Sequence, residues 1–143
     1  MSRRFPLATV LRVRAIEEEV ARGSLAQAVA DEAEAAAAVA RAGQAYDAAV
    51  AGSAVGPVAG FLADRTYRAA LAADASAAGG RRAVAASGVD TARQAWSAAA
   101  MRLSALERLR DRAGEAQRLE LLAVDQRTAE ETAAAVLAGR SAR

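Results

Sequence analysis

Residues 94–131 constrain this chain more than any other stretch. They contain no proline, and Gly114 is their only glycine. Trp96, Ala99, Leu103, Leu106, Ala113 and Ala116 recur at steps of three, four or seven residues, which lines them along one face of a helix. Arginines and carboxylates fill most of the opposite face: Arg102, Glu107, Arg108, Arg110, Asp111, Arg112, Glu115, Arg118 and Glu120. A helix with so narrow an apolar stripe does not bury it alone and calls for a partner helix of similar length.

Composition says the same. Alanine fills close to a third of the positions, with abundant Leu, Val, Glu and Arg, the profile of long helices and coiled coils. Alanine is the best helix former but buries little area. A compact globule built from it would have a thin core, whereas a hairpin of closely approaching helices suits it. His, Cys and Lys are absent, which removes imidazole, thiolate and Schiff-base chemistry and the usual zinc or iron ligand sets. No enzymatic activity, cofactor or metal is expected. Adjacent acids such as Glu17, Glu18 and Glu19 point in different directions on a helix and make a poor cation site. Gly79-Gly80 before Arg81-Arg82 lacks a preceding strand and any P-loop pattern, so it does not read as a phosphate site. The formal charge is only +2, and the arginines are spread along helices rather than gathered in a patch, which argues against a nucleic-acid partner. Arg12 and Arg14 interrupt the first apolar run too early for a signal-peptide core, and the uncharged residues 48–63 are too short and glycine-rich to span a membrane. No direct membrane insertion and a cytoplasmic location are therefore expected.

Taken in order, a first helix is expected over residues 5–51, with Pro6 in its opening turn. Leu7, Val10, Leu11, Val13, Ile16 and Val20 form one apolar line. Leu25, Val29, Glu32, Ala36, Val39, Gly43, Tyr46 and Val50 form a second, a seven-residue repeat with one acid in it. Glu18–Arg22 and Arg14–Glu18 are spaced as i,i+4 pairs. Residues 52–56 form the main break, with Gly52 placed to cap the first helix and Pro57 to open the next. A shorter middle helix is expected over residues 57–78, with Asp64–Arg68 as an i,i+4 pair. Gly79-Gly80 and the capping-box-like Ser87-Gly88-Val89-Asp90 then leave two readings, a kinked connection or one helix running on from Pro57. The glycines favour an interruption. The last helix spans about residues 88–138, with a fraying tail at 139–143. The fold class is all-α: one coiled-coil domain over residues 1–143, elongated, antiparallel and two-stranded. Its long N- and C-terminal helices pair first against last, and the interrupted middle helix lies near the tip.

Read together, several features resemble the FliJ family of bacterial flagellar export. They are the opening FPLATVLRVRAIEE, a glycine-rich break before mid-chain, an aromatic-bearing middle segment, Trp96 followed by RLSALERLRDR, and DQRTAEE at residues 125–131. The match covers nearly the whole chain. Alanine is unusually frequent here, and arginine stands at every basic position where the family commonly mixes in lysine. The resemblance implies an antiparallel coiled coil similar to the rotor stalk of rotary ATPases. It also implies a non-enzymatic adaptor of type III export that inserts into the hexameric export ATPase, contacts the cytoplasmic domain of the export-gate membrane protein and handles export chaperones, peripheral at the flagellar basal body. Positions matching the gate contact are Val39, Tyr46, Tyr67 and Leu71. Candidates for the ATPase-ring contact are Leu7, Leu11, Arg12, Arg14, Arg118, Asp125 and Arg127, taken from region rather than motif.

Each feature also has a plainer reading. Tyr46 and Tyr67 either pack on each other and the loop or form an exposed docking patch, where aromatics concentrate binding energy. Trp96 reads as core packing against the first helix ahead of a partner contact. Residues 108–112 read as a solvated face, or as arginines meeting carboxylates at the lip of a ring. Two further functional classes fit in outline: an injection-type secretion stalk, and a phasin-like, lipid- or granule-associated amphipathic coat protein. The coat protein needs a broader apolar face than this alanine-filled stripe. The leftover apolar area on both helices could also accept a second copy in a weak homo-oligomer.

Overall fold

The computed structural model describes residues 6–52 and 57–141, with side chains as far as Ala138. The described residues form two helices, α1 over Ala8–Ala51 and α2 over Val58–Ser141. Pro6 and Leu7 form the turn into α1, and the Leu11 amide donates to the Leu7 carbonyl at 2.9 Å. Phe5, the expected first helical residue, and residues 53–56 of the expected break lie outside the described residues.

The chain divides into two compact units, Ile16–Ala100 and Met1–Ala15 with Met101–Arg143. The first unit is a helical hairpin. Two cross-helix pairings set its register: Glu18 with Trp96 and Glu32 with Arg82. As the α1 number rises by 14 the α2 number falls by 14, so the helices run antiparallel. The inward residues follow a heptad alternation on both helices. On α1 they include Glu18, Ala21, Leu25, Ala28, Glu32, Ala35 and Val39; on α2, Leu71, Ala75, Ala78, Ala85, Val89, Ala92, Trp96 and Ala99. Only Ala78 and Ala99, at 2% and 6% exposure, are fully buried apolar residues among those described. Alanines on both stripes account for this thin core, because they let the backbones approach while burying little area each.

The expected interruption of the middle segment does not occur. α2 is continuous through Gly79, Gly80 and Gly88, and no described residue has a positive φ. Alanine-rich turns flank the glycines, and the stripe from Ala75 through Ala85 stays registered against α1. That packing outweighs a cost of about 1 kcal/mol per helical glycine. Ser87 likewise sits mid-helix rather than at a cap, its carbonyl accepting the Thr91 hydroxyl at 3.1 Å. Gly52 does follow the last residue of α1, without a left-handed turn: its amide donates to the Ala48 carbonyl at 3.0 Å. At its far end α2 runs on to Ser141, past the expected end at 138.

The first helix does pair with the expected last one, at Glu18 and Trp96, but it pairs with the expected middle segment as well, because the two are one helix. α1 pairs in the hairpin with the opening part of α2 itself, and Trp96 and Ala99 are inward residues there. In the second unit the half-buried side chains of α2 are Leu103, Ser104, Leu106 and Glu107, and beyond them only Gln117. Ala113 and Ala116, expected on the buried stripe, are exposed. The heptad line that holds Leu103 and Leu106 continues through Arg110, Ala113, Gln117, Glu120 and Val124, and its charged members favour water. On α1 the phase differs from the first expected line. Val10, Val13, Ile16 and Val20 are exposed, whereas Leu11, Arg14, Glu18 and Ala21 turn inward.

Candidate interaction surfaces

At the closed end of the hairpin, Val50, Val58, Phe61, Leu62, Tyr46 and Tyr67 are all exposed large side chains. Proline at 57 and the helix start at Val58 put Phe61 at the end of the first turn of α2 and Leu62 just past it; the Gly60 and Phe61 amides donate to the Pro57 carbonyl at 2.8 and 3.2 Å. Phe61 at 61% and Tyr67 at 59% exposure stand clear of the stripe, and Tyr46 at 37% lies at its edge. Asp64 holds the Arg68 guanidinium one turn away. That bond raises the Arg68 pKa, burial opposes it, and the negative charge of Asp64 reinforces it.

Of the four residues matched to the gate contact, the hairpin brings all four to one stretch, but not to one face. Val39 and Leu71 are half-buried on the inner stripe, and Tyr46 and Tyr67 are open. Phe61 and Leu62 were not among them. Their signal in the sequence was an aromatic and a leucine four and five residues after Pro57, close to a helix start that has no preceding turn to cover them.

Deeper in the hairpin, Trp96 donates its indole N–H to Glu18 Oε1 at 2.7 Å, and Arg22 reaches both carboxylate oxygens at 2.8 Å. Glu18 is 7% exposed. The indole bond first, then the Arg22 bond, holds its carboxyl below the ordinary glutamate value, against the opposing effect of burial. Glu17 and Glu19 face solvent. Trp96 thus packs against the first helix, and its polar edge pins the register. Glu32, the one acid of the second apolar line, is matched by Arg82 Nε at 3.2 Å.

The ATPase-ring candidates all fall in the second unit. Leu11 and Arg14 are half-buried; Leu7, Arg12, Arg118, Asp125 and Arg127 are exposed. Arg118 lies 11 residues beyond Glu107, roughly 16 Å farther along the helix axis, so this set divides into a packed part and a bare part. Residues 108–112 form a solvated face: Arg108 donates to Ser104 Oγ at 3.3 Å, and Arg110 pairs with its neighbour Asp111 at 2.9 Å. No described helix is long and apolar enough to cross a membrane.

A family model described as Flagellar FliJ protein matches residues 2–143 of this chain. No curated protein and no solved structure matches it.

Proposed function

Since the chain belongs to the flagellar FliJ family along essentially its whole length, a non-catalytic component of flagellar export, we propose that it links the export ATPase ring to the export gate and passes export chaperones between them. In this reading it acts in the cytoplasm at the base of the flagellum and makes or breaks no covalent bond. The hairpin's closed end meets the cytoplasmic domain of the gate through Tyr46 and Tyr67, with Phe61 and Leu62 enlarging the same patch and Val39 and Leu71 supporting it from within. The unit that holds α1's first turns and the distal part of α2 meets the ATPase, with Leu7, Leu11, Arg12, Arg14, Arg118, Asp125 and Arg127 as contacts.

One observation carries the reading: among the described residues the exposed aromatics, Tyr46, Phe61 and Tyr67, gather at the hairpin's closed end. Pull-downs of the purified ATPase and of the gate's cytoplasmic domain test it. Tyr46→Ala with Tyr67→Ala should reduce gate capture and leave ATPase capture intact. Loss of neither would leave the tyrosine patch without a role. The injection-type stalk is mechanically the same device, and the flagellar family model favours the flagellar machine. For a lipid-coat protein, the inward alanine stripe leaves too little continuous apolar face, and strong flotation with neutral liposomes is the result that would favour it.

A further inference from the structure

We propose that residues 108–136 of α2 pair with the same residues of a second copy of this chain, the two helices running antiparallel. Past Glu107 every described side chain of α2 except Gln117 is exposed, and Leu109, Leu119, Leu121, Leu122, Val124 and Val136 are all open to solvent. No described part of α1 covers them.

Charge identifies the occupant. Residues 108–118 hold four arginines against two acids, a net +2, and residues 120–131 hold four acids against one arginine, a net −3. Two identical helices set parallel would place like halves together. Set antiparallel, the basic half of each lies across the acidic half of the other. Side-chain size follows the same division. One helical line runs through Arg108, Arg112, Glu115 and Leu119 and continues through Leu122, Gln126, Ala129, Ala133 and Val136. Its first half is long and its second half mostly small. A shallow concavity between Asp125 and Val136, floored by alanine and threonine, marks the small half. With Leu119 opposite Leu122 of the second copy, the stems of Arg108 and Arg112 lie over Ala133 and Ala129, and Arg118 stands beside Asp125 at the flank. Leucines meet at the centre, and the two-fold axis repeats each contact.

Arg118 and Asp125 are also among the residues assigned to the ATPase ring, so the two occupants exclude each other and the dimer would be a store of chain awaiting the ring. The test does not require the ATPase, and its failure leaves the export reading standing. Sedimentation velocity of the full chain over a concentration series should show a reversible dimer. Arg118→Asp or Asp125→Arg alone turns two attractions into two repulsions and should weaken the dimer roughly tenfold. The swap carrying both should restore it. The chain has no cysteine, so Ala133→Cys reports direction cleanly. Antiparallel copies hold the two sulfurs about 37 Å apart along the axis and form no disulfide. A monomer at every concentration, single reversals without effect, or a disulfide at position 133 would each overturn the proposal; a monomer would leave this surface to a different protein.

Discussion

The sharpest test of the fold is the double substitution Gly79→Ala with Gly80→Ala. Both glycines are helical and exposed, neither has a positive φ, and no atom lies within 4 Å of a Cβ built at either position. No close approach and no left-handed turn requires glycine here, so only intrinsic helix propensity remains. That amounts to about 0.8–1 kcal/mol per position, or roughly 1.5–2 kcal/mol for the pair. At about 4 °C per kcal/mol for a chain of this size, thermal melting followed by far-UV circular dichroism should rise by roughly 6–8 °C. Gly52→Ala serves as the contrast: its Cβ would sit 3.3 Å from the Ala48 carbonyl oxygen, at the last turn of α1, so its gain should be under about 0.5 kcal/mol. If the double alanine variant melted at or below the wild-type temperature, α2 would not be continuous through this segment, and the interruption suggested by the glycines would return.

Two further outcomes follow from the packing and the charges. Ala78→Leu should destabilise by about 1–3 kcal/mol, because Ala78 is 2% exposed and three more carbons would push the closely approaching helices apart, whereas Ala77→Leu on the solvent side should stay within about 0.5 kcal/mol in denaturant melts. Glu18 has a lowered carboxyl pKa in the fold, so its contribution is present above the ordinary glutamate value and is lost as the pH falls through the lowered one. Glu18→Gln and Trp96→Phe should therefore flatten the acid side of the stability profile, and profiles parallel to wild type would refute the pairing.

Much of this architecture was legible locally. The positions of Trp96, Ala99, Leu103 and Leu106 on one face follow from spacing alone, as do the Glu18–Arg22 and Asp64–Arg68 pairs and the break after Ala51. Tyr46 and Tyr67 stood out because aromatics are rare in this chain. Phe61 and Leu62 were harder to separate from core residues, because their exposure depends on where α1 ends across from them.

Helix, heptad and break are encoded residue by residue, because period, propensity and the few prolines act within a turn or two and need no long-range packing to be read. Which apolar line turns inward on α1 was decided by the partner. Val10, Val13, Ile16 and Val20 are the more apolar choice, yet Glu18 goes in because Trp96 and Arg22 meet it there. Only the tertiary structure determines whether glycines interrupt α2, since the packing of its neighbours on α1 outweighs their local preference. It also determines where pairing stops, since an apolar stripe continues to be buried only as far as a second helix lies beside it.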